Sequence, residues 1–120
     1  MPMCQVFTNV STAKVTDDVL TKLHEVFTDA IKKDKKWCVV HIVPDQKMVG
    51  HGRTTDPCAL VNIMSIGNLG ADENIRISGQ IQGFLEEQLG VSKERNYIWF
   101  DDAPAKEVGW NGSTFGPILG

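Results

Sequence analysis

The order strand, helix, strand occurs twice along this chain, and that duplicated unit limits the folds open to it. Met3 to Thr8 reads as a short strand. Thr16-Asp17-Asp18 then supplies a helix cap and two carboxylates where the helix dipole favours them. Val19, Leu20, Leu23, Val26, Phe27, Ala30 and Ile31 recur at the spacing of one helical face, and Lys32 and Lys33 close the segment with cations at its negative end. Trp37 to Val43 is rich in β-branched residues and stops at Pro44, which cannot donate to a ladder. The order then returns. Cys58 to Ile66 reads as a strand, Asp72 to Leu89 as a helix with Ile77, Ile81, Phe84, Leu85 and Leu89 on one stripe and Gly90 as its stop, and Tyr97 to Asp101 as a strand. Two β-α-β units predict an α+β fold of the split βαβ kind, a four-stranded sheet with both helices on one face.

That arrangement leaves a sheet face uncovered. Val39 to Val43 and Ala59 to Met64 carry apolar residues toward both sides, the pattern of strands buried twice. Two helices cover one face only, so the other is expected to be buried by further copies of the chain, with a closed ring as the natural form. At 120 residues the chain is read as a single domain spanning 1–120, small enough to gain from such assembly.

Composition removes several functions. Twelve basic and 15 acidic residues give a net charge of -3, with no basic stripe interleaved with aromatics, so nucleic acid is not an expected partner. No apolar run approaches the roughly 18 residues of a membrane span, and the start lacks the charged and apolar regions of a secretory signal, which predicts a soluble cytosolic product without membrane insertion. Cys4, Cys38 and Cys58 are odd in number and far apart, as fits reduced core thiols. Asn9-Val10-Ser11 and Asn111-Gly112-Ser113 match the glycosylation pattern and are read as chance for a protein that does not meet that machinery. His24, His41 and His51 show no metal-ligand spacing, and no glycine fingerprint for phosphate is present, so no metal and no cofactor are expected.

The chemistry sits at the start. Pro2 follows the initiator methionine, and removal of Met1 before this small residue would leave a secondary amine able to act as a base near neutral pH. Further segments fall into order around it: Met1-Pro2-Met3, Thr8-Asn9-Val10, Val40-His41-Ile42-Val43-Pro44-Asp45-Gln46, Asp56-Pro57-Cys58-Ala59-Leu60, Ser65-Ile66-Gly67 and Val108-Gly109-Trp110-Asn111-Gly112-Ser113-Thr114-Phe115. Together they resemble the macrophage migration inhibitory factor family of the tautomerase superfamily. The resemblance runs from Met1 to Phe115 and leaves Gly116 to Gly120 as an extra tail.

The resemblance implies a homotrimer with a central channel, and tautomerase sites between subunits that act on small aromatic keto and enol substrates of the phenylpyruvate and dopachrome type. It also implies a cytokine or immune-modulating role after export by a route that needs no signal peptide, with the invariant-chain cell-surface protein as receptor. The catalytic base would be Pro2. Lys33 would lie beside it and hold a substrate carboxylate. Ser65 and Ile66 would line the pocket through their backbone, Tyr97 would come from the adjacent subunit, Val108 and Phe115 would form apolar wall, and Trp37 would stand at the entrance.

Plainer readings stand next to these: Lys33 as a charge at a helix end, Tyr97 as a strand aromatic. Departures from the family pattern matter too. Trp99 stands where vertebrate members carry asparagine, which implies a narrower pocket with altered substrate preference. Cys58-Ala59-Leu60-Val61 lacks the second thiol of a dithiol motif. Thr12 replaces an arginine proposed for chemokine-receptor contact, although Asp45 is present, and the Val49-Gly50-His51-Gly52 loop is one residue longer. The alternative function is a receptor ligand whose pocket is incidental, and a purely structural trimer is a third reading.

Overall fold

The computed structural model describes residues 2–119. Strand β1 (Met3–Thr8) leads to helix α1 (Asp17–Ile31) and strand β2 (Val39–Val43); strand β3 (Ala59–Ser65) leads to helix α2 (Ala71–Leu89) and strand β4 (Asn96–Asp102). The sheet order is β2-β1-β3-β4. Each β-α-β unit contributes a parallel pair, β1 with β2 and β3 with β4, and the two units meet at the antiparallel pair β1 with β3. The duplicated pattern therefore folds as expected.

Helix α1 begins where Thr16 Oγ1 accepts the Val19 amide at 3.2 Å, with Asp17 and Asp18 in the first turn. Its buried stripe is Val19, Leu23, Phe27, Ala30 and Ile31. The expected lysines do not lie within its last turn. The helix stops at Ile31, and Lys32 turns left-handed at φ 57°. Two carbonyls freed by that stop, Ile31 and Lys32, accept the Asn68 side-chain amide at 2.9 and 3.3 Å, so a residue from the second unit caps the helix of the first.

Helix α2 buries Ile77, Ile81, Phe84, Leu85 and Leu89 and ends at Gly90, whose φ of 69° suits a residue without Cβ. The second edge strand is shorter than expected. Lys35 to Trp37 form a single 3-10 turn capped by Asp34, and the extended backbone begins only at Val39. Likewise β3 begins at Ala59, because Cys58 spends its amide on the Asn9 side chain.

Against the sheet the helices bury Cys4, Val6, Val61 and Ile63 in one core. Positions of opposite parity point away from it. Val39 and Leu60 are 51% exposed, Tyr97 66% and Trp99 73%. Shallow hollows of about 520 and 690 Å³ lie on this face, both lined by Asn62 and Trp99. The sheet face that two helices were expected to leave uncovered is thus open in the single chain.

After β4 a short hairpin, β5 (Gly109–Trp110) and β6 (Ser113–Thr114), precedes a terminal helix, α3 (Phe115–Leu119). Asn111 and Gly112 turn it with φ of 50° and 78°, the conformation that Asn-Gly hairpins require. Of the segment read as a tail, Gly116 to Leu119 continue the helix that Phe115 anchors in the interior, and Gly120 lies outside the described residues.

All three cysteines are free and buried. Burial pushes the Cys4 thiol from an ordinary 9.0 up to about 12. The unfolded thiol ionises first, so its share of stability is whole below pH 9 and is lost as the pH rises from about 9 toward 12. Urea unfolding at fixed protein concentration, compared between neutral pH and pH of about 10.5, should show a larger loss for the natural chain than for Cys4→Ala; equal losses would contradict this assignment.

Candidate active site at the N-terminal proline

Pro2 is buried, and its carbonyl accepts the Val39 amide at 3.1 Å, which fixes it against the start of β2. Met3 pairs with Met64 across the antiparallel junction. One further step of that register sets Pro2 opposite Ser65, on the helix-facing side. Ser65 is fully buried; its carbonyl accepts the Ala103 amide at 2.9 Å, while its hydroxyl has no partner among the described residues.

Ile66 is half-buried, and its carbonyl accepts Lys33 Nζ at 2.8 Å. This contact brings an ammonium from the end of α1 onto the segment leaving β3. Gly67 then turns at φ 78° and donates its amide to Asp102 Oδ1 at 3.0 Å, which holds the ends of β3 and β4 together. Pro2, Lys33, Ser65 and Ile66 therefore gather at one end of the sheet.

Trp37 joins them through the chain, two residues before the Val39 amide that binds Pro2. Its ring meets Trp110 edge-on at 5.0 Å and Phe115 at 6.1 Å, and Trp110 stacks on Phe115 at 5.8 Å and 17°. Val108, half-buried, accepts the Phe115 amide at 3.0 Å and so ties the terminal helix beneath this cluster. Cys38 lies in the same corner. Burial raises its thiol above the ordinary range, with Lys33 among the nearby charges that act the other way. His24, one of the three histidines without metal-ligand spacing, places Nε2 2.9 Å from the Cys38 carbonyl.

Tyr97 and Trp99 are not brought to this corner. Tyr97 pairs with Leu60, which pairs with Phe7, five residues along β1 from Pro2. At about 3.3 Å per residue that is roughly 17 Å along the strand, with two strand spacings added across it. Trp99 is level with Asn62 and Gln5. Both also project from the open face, whereas Pro2 is on the helix side. Tyr97 instead sits 5.1 Å from the His51 ring, beside the loop between β2 and β3.

Arg95 secures that loop by donating to the Pro57, Gly50 and Asp56 carbonyls at 3.0, 2.9 and 3.1 Å. Sequence reasoning did not single out Trp110, Asn68 or Asp102. Trp110 had a legible signal in its place within the Val108-to-Phe115 motif, but Asn68 and Asp102 act through partners 35 or more residues distant.

The family model described as macrophage migration inhibitory factor matches residues 1–116. The chain belongs to that family. The rat macrophage migration inhibitory factor is 44% identical over 115 residues, covering 96% of this chain and 99% of the relative. The Xenopus tropicalis protein of the same name is 38% identical with the same coverage. Among solved structures, the homologue from Prochlorococcus marinus superposes with a TM-score of 0.89 at 30% identity, over 95% of this chain and 99% of that one. The factor from Trichinella spiralis also gives 0.89, at 32% identity over 94% and 99%.

Membership accounts for the shared β-α-β duplication and for the order of the motifs noted in the sequence. At this corner the junction described above, Asn68 on α1 and Lys33 on Ile66, ties the two units together. Replacing Asn68, which stands at φ 61°, by glycine strips the amide from two helix-terminal carbonyls without straining the backbone. We expect it to lower stability by about 1 kcal/mol in urea unfolding at constant protein concentration; no change would mean that water caps the helix equally well.

Proposed function

We propose that this family member is a keto-enol tautomerase for small aromatic substrates of the phenylpyruvate and dopachrome type, with Pro2 as base once Met1 has been removed. The observation that carries the reading is the buried Pro2 at a strand start, opposite Ser65 by register, with the Lys33 ammonium on the carbonyl of the next residue, Ile66. A free α-amine has a reference pKa of about 7.7 to 8.0. Burial and a neighbouring cation both disfavour its protonated form, so the amine is available as a base at neutral pH. It takes the proton from the carbon next to the substrate carbonyl and the enol oxygen is protonated, or the reverse. Lys33 pairs with a substrate carboxylate, the Ser65-Ile66 backbone lines the floor, and Val108, Phe115 and Trp37 supply apolar wall.

The assembly we propose is a homotrimer in which Tyr97 and Trp99 of one copy complete the pocket of the next. Their exposure of 66% and 73% on the uncovered face supports this reading. In that setting the Trp99 indole reduces the space at the pocket and changes which substrates fit. Light scattering at micromolar concentration should give three times the 13.3 kDa of one chain, and a monomer would end the proposal of a shared site.

The relatives' shared name supports a cytokine or immune-modulating role for the same trimer, present in the cytoplasm and exported without a signal peptide, with the invariant-chain receptor as the proposed partner. The catalytic reading is tested on mature protein whose N-terminus is verified by mass spectrometry. Ketonisation of phenylpyruvate-type enols and turnover of a dopachrome ester should fall by about 10²-fold or more in Pro2→Gly, the scale of lost general base catalysis. Inactive mature protein with a verified free Pro2 would leave the receptor ligand with an incidental pocket as the standing explanation.

A further inference from the structure

The segment between α1 and β2 inverts the charge of the molecule. The chain carries a net -3, yet Lys32, Lys33, Lys35 and Lys36 stand against Asp34 alone within five residues. Among the described residues the ion pairs are Lys22 with Asp18 and Arg53 with Asp56, so no carboxylate pairs with any of the four lysines. Lys32, Lys35 and Lys36 are exposed. On the neighbouring turn Lys106 and Glu107 offset one another.

This positive segment has a defined shape. Asp34 Oδ1 accepts the Lys36 amide at 3.0 Å and the Trp37 amide reaches the Asp34 carbonyl at 3.0 Å, so the turn is held from within. Lys36 Nζ lies 5.4 Å from the centre of the Trp37 ring, within the range of cation-π attraction. Trp37 is in turn braced by Trp110, which keeps 38% of its surface exposed. The Lys36 ammonium thus flanks an aromatic wall whose chain runs directly to the Val39 contact with Pro2, with exposed Lys35 next to it in the turn.

We infer that Lys35, Lys36 and the Trp37–Trp110 wall form a capture site at the mouth of the Pro2 pocket, selecting aromatic substrates that carry an anionic group over their neutral counterparts. An aromatic ring packs on the exposed indole surface while its carboxylate sits in the field of the lysines. Lys33, deeper and already on the Ile66 carbonyl, receives that carboxylate as the substrate advances. A carboxylate is steered toward the site over a distance set by salt, about 30 Å at 0.01 M and about 10 Å at 0.1 M ionic strength. An uncharged ester is not.

The inference rests on the tautomerase reading of the same site, and two measurements separate their failures. The first compares kcat/KM for an aromatic enol carboxylate with that for its methyl ester, between about 0.01 and 0.3 M ionic strength. The carboxylate-to-ester ratio should fall about tenfold in Lys35→Glu/Lys36→Glu, and the ratio's decline with salt should flatten. Lys14→Glu/Lys47→Glu makes the same change in net charge at the far end of the sheet and should leave the ratio as it is. An equal fall in that control would assign the preference to overall charge and overturn the capture site.

The second measurement needs no turnover: calorimetric binding of 2-naphthoate against neutral 2-naphthol. The anion should bind about tenfold more tightly to the natural chain, with most of that preference lost in Lys35→Glu/Lys36→Glu and the remainder due to Lys33. No preference, or one unchanged by the substitutions, overturns the inference whatever the activity. A preference that is present and lost as expected in a protein without tautomerase activity would uphold the capture site and sink the catalytic reading.

Discussion

The antiparallel pairing of β1 with β3 is the contact on which the rest of the molecule depends. Each β-α-β unit has its own parallel pair and its own helix, but neither encloses a core alone. Joining them back to back lets Cys4 and Val6 share one interior with Val61 and Ile63, under both helices. The same register sets Pro2 against Ser65 and carries the exit of β3 toward the end of α1, where Lys33 and Asn68 cross between units. A slip of one residue would turn every buried strand side chain to the other face, so core packing and site geometry are fixed by one decision.

The sheet then divides its labour by parity. Residues directed at the helices build the core and, at one end, the corner around Pro2. Their neighbours project Tyr97, Trp99, Leu60 and Val39 into the open. Large aromatic groups so exposed are costly for a lone chain in water and useful at an interface. The geometry also explains why one chain holds an incomplete set of candidate site residues: strand length and face keep Tyr97 and Pro2 apart, whatever loop or side-chain motion is allowed.

Much of this was legible beforehand because it rests on local signals. The apolar stripes of α1 and α2, the Thr16 cap, the Gly90 stop and the alternation of strands each lie within a few turns of chain. The misplaced details share a cause. Trp37 and Cys38 have strand-like composition, yet the Asp34 cap favours a tight turn there, so β2 starts late. Lys32 and Lys33 looked like a helix's final turn, yet the left-handed stop at Lys32 frees carbonyls that a distant asparagine satisfies. In both places a hydrogen bond outweighed the average preference of the residue type.

By itself the sequence determined the two β-α-β units, their buried faces, the reactive potential of Pro2 and the resemblance that points to a family. Those follow from periodicity, capping and residue chemistry, which act over short separations. Tertiary structure alone decided that Lys33 meets Ile66, that Trp37 leans on Trp110 and Phe115, and that Tyr97 faces away from Pro2. These relations join residues far apart in the chain, and their geometry is set by strand register and by which face of the sheet each side chain leaves, quantities that no local pattern specifies.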